Sequence, residues 1–154
     1  MKEIQAPNLI PYTESLRVFL GGSIEMGKAE KWQEKIVQHF KDADVTFLNP
    51  RRDDWDSSWV QSIHNPQFNE QVNWELTALE LSDVVIINFD PATMSPISLL
   101  ELGLHARSGK LIVCCPEGFW RKGNVDIVCQ KYHITLVEDY EDLIRVIGEK
   151  IWLP

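Results

Sequence analysis

The sequence predicts an α/β protein with a parallel β-sheet covered by helices on both faces. Three observations lead there. Short apolar runs alternate along the chain with segments of helical period, which is the pattern of repeated βα units. The run at 83–89 (DVVIINF) is nearly continuous in apolar residues, as suits a strand buried on both faces. The first short run (LRVFLG) ends in glycines before a segment of helical period begins, so strand and helix alternate from the start.

The elements follow in order. Residues 1–15 contain Pro7 and Pro11 and are mostly polar, so they read as an arm before the first strand. Residues 16–21 (LRVFLG) form strand one. Residues 26–40 form a helix, with Trp32, Ile36 and Phe40 stepping at four. Residues 44–49 (DVTFLN) are strand two. A helix spans 66–81, with Val72, Leu76 and Leu79 on one stripe, and strand three occupies 83–89. Residues 95–106 (SPISLLELGLHA) form the next helix and 110–115 (KLIVCC) strand four. A short helix at 122–131, strand five at 134–137 and a helix at 140–150 complete the chain. Right-handed crossovers leave few topologies. The choice here is a three-layer, flavodoxin-like (Rossmann-like) sheet of five strands in the order 2-1-3-4-5, built as one domain over 1–154. Ligands of such sheets sit at the carboxyl ends of the strands. That directs attention to loops 21–27, 49–65, 88–96 and 115–124.

The composition narrows the function classes. The 154 residues are 44% apolar and 25% charged, a globular balance, and the net charge of −8 speaks against a nucleic-acid polymer as partner. The three cysteines lack CxxC spacing, and Cys114-Cys115 fall in an apolar run, which fits core thiols of a cytoplasmic protein. No apolar run is long enough to cross a membrane, and no signal peptide is expected. His64, His105 and His133 have no metal-ligand spacing, so neither a metal nor another cofactor is expected.

Glu101 is the only acid in the apolar 95–106 helix. It is either a structural glutamate, paired with Arg107 or His105 or lying at the surface, or a carboxylate set in a cleft to attack an electrophilic carbon. Ser95-Pro96 is a helix start signal, serine as N-cap and proline at the first position. The same N-terminus offers N–H groups to a ligand, and both roles are compatible. Glu75 borders the stripe of the preceding helix; it is either amphipathic surface or a second carboxylate dividing the labour of nucleophile and proton donor. Gly21-Gly22-Ser23 lets the backbone approach a ligand but matches no dinucleotide or triphosphate fingerprint. In the 49–56 segment (NPRRDDWD), arginines and aspartates brace the loop internally, or Asp53 or Asp54 reads a heterocycle edge while Trp55 packs on its face.

Phe19-Leu20-Gly21-Gly22-Ser23-Ile24, Ser82-Asp83-Val84-Val85, and Ser95 followed by Glu101-Leu102-Gly103 together resemble the nucleoside 2-deoxyribosyltransferases and the related deoxynucleoside 5′-monophosphate N-glycosidases. The resemblance covers about residues 16–137. The 49–56 loop and Cys114-Cys115-Pro116-Glu117-Gly118 look like the transferase-like branch. The resemblance implies that Glu101 is the nucleophile toward the anomeric carbon of a 2′-deoxynucleoside or its 5′-monophosphate, transferring the sugar to another base or to water. Glu75, eight residues before Asp83, matches the family's proton donor, with Glu where Asp is usual. Ser95 matches the monophosphate glycosidases. Asn49, Asp53, Asp54 and Trp55 become substrate contacts beside Gly21, Gly22 and Ser23. Asn124 matches an asparagine that a neighbouring subunit supplies to the sugar's 5′ group, which implies a homodimer or higher oligomer with shared sites. Phe19 stands where the family carries a tyrosine that helps hold the nucleophile, so the nucleophile's hydrogen bonding must differ, with the 49–65 loop as a source of a replacement. The alternative implied function is a nucleoside-binding or sensor module without turnover.

Overall fold

A computed structural model describes residues 1–24 and 30–153. The chain forms β1 (Lys2–Gln5), β2 (Leu16–Gly22), α1 (Trp32–His39), β3 (Val45–Asn49), α2 (Pro66–Leu81), β4 (Val84–Asn88), α3 (Pro96–His105), β5 (Leu111–Cys114), α4 (Lys122–Tyr132), β6 (Thr135–Val137) and α5 (Tyr140–Trp152). The strands make one parallel sheet in the order β1-β3-β2-β4-β5-β6. Without β1 this is the expected five-strand order.

The sixth strand corrects the reading of residues 1–15 as an arm. Lys2–Gln5 pairs in register with Thr46–Asn49 and caps the edge of β3. Its sequence, KEIQ, has one buried apolar residue, Ile4, and no alternation to announce a strand. Pairing with β3 satisfies edge N–H and C=O groups that would otherwise be bare. The segment beyond is anchored too, since Trp74 Nε1 donates to the Asn8 carbonyl at 2.8 Å.

The central strands bury residues on both faces, as the apolar runs require. Phe19, Leu48, Val85, Ile87, Leu111 and Val113 face the layer of α2, α3 and α4, where Trp74, Ala78, Leu79, Leu102, Val125 and Cys129 cover them. Val18, Leu20, Val45, Phe47, Ile86 and Ile112 face α1 and α5, against Trp32, Ile36, Phe40, Leu143 and Ile147. The first helix runs from Trp32 rather than from Met26, and the start expected at 26–29 lies outside the described residues. Because the strands are parallel, the loops after β2, β3, β4 and β5 all emerge at one edge of the sheet.

Candidate active site

Helix α3 is apolar nearly all round, but it is not enclosed all round. Ser98, Glu101 and Leu102 face inward, whereas Ile97, Leu100 and Leu104 are 58–59% exposed. The sheet covers one side of an outer-layer helix, and no second layer lies beyond it. Glu101 is therefore one of the few buried polar side chains, at 7% exposure. It makes no hydrogen bond or ion pair among the described residues, and neither expected partner reaches it. Arg107 lies over the Tyr132 ring at 5.4 Å, and His105 is half-buried with its pKa lowered by burial and by Lys110.

Glu75 arrives from α2. The inward stripe of that helix is Gln71, Trp74, Ala78 and Leu79, not Val72–Leu76–Leu79; Leu76 points outward. Both stripes have helical spacing, and the indole of Trp74, with the larger apolar area to bury, decides the rotation. That rotation leaves Glu75 half-buried at the margin of the stripe, with its carboxyl poorly solvated. Burial pushes its carboxyl up to about 7, against the opposing pull of a 2.7 Å hydrogen bond from Gln71 Nε2 to its Oε1. Burial, and after it the nearby charge of Glu75, push Glu101 up to about 8. Two carboxyl groups thus meet in a poorly solvated place, each favouring its neutral form.

Gly21 and Gly22 serve close packing. A Cβ on Gly21 would lie 2.7 Å from Phe19 Cε1, and one on Gly22, at φ 138°, would lie 2.2 Å from the Asn88 carbonyl oxygen. The backbone of β2 can therefore press against β4, and Ser23 N–H donates to Asn88 O at 2.8 Å. Ser23 is fully buried. Its hydroxyl meets Ser95 Oγ at 2.6 Å and Thr93 Oγ1 at 2.8 Å and accepts from Asp90 N–H at 2.8 Å. Ser95 takes the N-cap position of α3 in a left-handed conformation (φ 45°) and makes no side-chain cap bond. Its expected capping role is corrected: the hydroxyl joins the Ser23–Thr93 cluster, which ties the loops after β2 and β4 together.

The 49–65 loop is braced internally. Asn49 is buried, donates to Glu3 Oε1 at 2.8 Å and accepts from Arg51 N–H at 3.0 Å. Arg52 grips Asp54 through two bonds of 2.7 and 2.9 Å, lies 3.8 Å from Glu70 and sits over the Trp59 ring at 5.0 Å. Trp55 packs edge-on against Trp59, and its Nε1 is buried without a hydrogen-bond partner among the described residues. Asp53 is exposed. Of the two readings of this loop, internal bracing describes Asp54. Among the described residues no side chain of the loop bonds Glu101; the loop reaches Glu75 instead, through Gln71.

The structure joins Ser23, Ser95 and Thr93 beside Gly21 and Gly22 at the carboxyl edge of the sheet, and on the α2–α3 side it sets Glu75 near enough to Glu101 for its charge to act there. Phe19 lies beneath them, fully buried in the core against α2 and α3. Asn124 is exposed in the first turn of α4 and joins no side-chain contact among the described residues. Sequence reasoning missed Gln71, Thr93 and Ser98. Gln71 sits one turn before Glu75 and Ser98 one turn before Glu101, so the i,i+4 and i,i+3 neighbours of each acid were the available signal. A surface recess lined by His39, Ile144, Gly148 and Trp152 lies on the α1–α5 layer, away from both carboxyls, and holds no buried acid. Among the described residues no cluster of His, Cys, Asp and Glu is arranged to hold a metal.

A family model described as "Nucleoside 2-deoxyribosyltransferase like" matches residues 15–119. Among solved structures, a conserved protein from Enterococcus faecalis V583 superposes with a TM-score of 0.62 at 12% identity. The match covers 88% of this chain and 99% of that one, a likeness of fold. No curated protein matches the chain.

Proposed function

Because the chain belongs to the nucleoside 2-deoxyribosyltransferase-like family, we propose that it cleaves or exchanges the N-glycosidic bond of 2′-deoxynucleosides or their 5′-monophosphates. The observation that carries this reading is the pair of poorly solvated carboxyls, buried Glu101 without a partner among the described residues and half-buried Glu75 held by Gln71. In the ionised form, Glu101 attacks the anomeric carbon as the C–N bond breaks, and Glu75 gives its proton to the departing base. Water or a second base then attacks the same carbon, loses a proton to Glu75 and releases Glu101. Two inversions give net retention. The reactive state carries one proton on the pair, on Glu75; it is the minor tautomer of the singly protonated pair, because burial and the nearby charge of Glu75 make Glu101 hold a proton the more tightly. The pH–rate profile is accordingly a bell bounded by the apparent values of the pair rather than of either residue.

Ser95, at the start of the nucleophile's helix, supports the monophosphates as substrates. The proposal includes a homodimer in which Asn124 of one copy approaches the site of the other. Exposed apolar side chains along α3 (Ile97, Leu100, Leu104) support such a contact. Three free, buried thiols fit a cytosolic setting.

The test is incubation with each 2′-deoxynucleoside and each 5′-monophosphate, with and without a free second base, followed by separation of products. Base release or exchange that Glu101→Ala abolishes is the expected outcome. Folded protein that yields neither, on any substrate, overturns the proposal. The lack of a hydrogen-bond donor to Glu101 among the described residues favours one second reading, a nucleoside-binding module without turnover. Its signature is calorimetric binding that survives Glu101→Gln with no product formed.

A further inference from the structure

Gln71 is buried at 3% exposure, and every polar position of its amide is committed. The NH2 group donates to Pro50 O at 2.9 Å and to Glu75 Oε1 at 2.7 Å, while Oε1 of Gln71 faces Arg52 Nη1 at 3.4 Å. The amide cannot be reversed, since a flip would set its oxygen against a carbonyl and a carboxyl and its NH2 against a guanidinium. Arg52 is itself fixed by Asp54, Glu70 and the Trp59 ring. A rigid line thus runs from the 49–65 loop through Gln71 to one particular oxygen of Glu75.

That line has a chemical consequence. A neutral carboxyl has one C=O oxygen and one O–H oxygen, and an oxygen that accepts a short N–H bond is the C=O oxygen. We propose that Gln71 is a positioning residue for the proton donor: by occupying Oε1 of Glu75 it places the transferable proton on Oε2, the oxygen left to meet the departing base. This inference rests on the glycosyl-transfer reading. Gln71 also favours the ionised form of Glu75, opposing the burial that pushes the carboxyl up. An acid whose pKa stays near the working pH can both give the proton and take it back.

A merely structural Gln71 would brace the loop through Pro50, and its loss would harm all substrates alike. The leaving group separates the two roles. Gln71→Leu, with Gln71→Met as a second apolar variant of similar volume, is assayed on the natural deoxynucleoside substrate and on 4-nitrophenyl 2-deoxyribofuranoside. The nitrophenolate departs as an anion and needs no proton. The expected result is a fall in kcat of about 100-fold on the nucleoside, at the lower end of a general-acid contribution, with KM nearly unchanged and the pre-steady-state burst of nitrophenolate, which reports the first displacement alone, at the wild-type rate. Equal loss on both substrates, or no loss on either, overturns the inference. A carbon-13 NMR titration of the glutamate carboxyls supplies a readout independent of turnover. The resonance of Glu75, assigned by its absence in Glu75→Gln, moves to higher pKa in Gln71→Leu. An unmoved titration overturns the inference as well. Should the wild type cleave neither substrate, the glycosyl-transfer reading fails, while the titration still decides whether Gln71 governs the Glu75 proton.

Discussion

Glu101 and Glu75 set a stability cost that depends on pH. Both carboxyls lie above the ordinary value of 4.5, at about 8 and about 7, with burial as the main cause. Between those limits the folded chain holds more protons than the unfolded chain. Their contribution is therefore fully present below the unfolded value and is lost as pH rises through the folded values. Each tenfold gain in proton affinity on folding corresponds to about 1.4 kcal/mol, so the pair costs the fold several kcal/mol at alkaline pH. Wild-type unfolding free energy in urea is expected to fall from about pH 5 to about pH 9, and Glu101→Gln, neutral and nearly isosteric, to flatten that decline and gain stability at the alkaline end. Parallel curves for the two proteins would contradict the assigned burial. At this scale the sequence was informative about Glu101, since one acid among leucines is conspicuous. It was silent about Gln71, because a glutamine in an amphipathic helix carries no mark of whom it will meet.

The two helices that carry the acids start in different ways. At α2, Asn65 caps in the ordinary manner: its side chain accepts from Phe68 N–H at 2.9 Å, and Pro66 occupies the first helical position. Asn65→Ala is expected to cost about 1 kcal/mol in urea unfolding, the usual loss of a side-chain cap, and a change near zero would show that the cap is dispensable. At α3 the same kind of start signal, Ser95-Pro96, leads elsewhere. Proline takes the first position, but the serine hydroxyl turns to Ser23 and Thr93, 72 and 2 residues away in sequence. Local chemistry names a helix start in both cases. Whether the cap atom stays with its own helix depends on what another strand's loop offers it, and only the assembled sheet offers Ser23.

Across the whole molecule, the two helical layers differ at their surfaces. The α2–α3–α4 layer leaves Leu76, Ile97, Leu100, Leu104 and Ile127 exposed, centred on the helix that carries Glu101 inward. The proposed homodimer buries this face. Light scattering at micromolar concentration is expected to give the mass of two chains, and Leu100→Lys to give one chain with unchanged circular dichroism. A monomeric wild type would remove the shared-site part of the proposal. The opposite layer, α1 with α5, packs Trp32, Ile36, Leu143 and Ile147 on the sheet and leaves Trp152 and Leu153 exposed at the end of α5.

The sequence by itself determined the succession of the later strands and helices and the parallel sheet they form. Hydrophobic period and glycine punctuation are local, and they survive without knowledge of the partners. It also singled out Glu101, the one charge in an apolar helix. Only the tertiary structure made a strand of Lys2–Gln5, because that segment has no pattern of its own and gains its order from the exposed edge of β3. Only the tertiary structure turned α2 toward Trp74 rather than Leu76, joined Gln71 to Glu75 and Pro50, and drew Ser95 to Ser23. A period states that a helix has a face. Which residues of that face are buried, and which hydrogen bonds they find there, is settled by surfaces that the chain brings from far along its length.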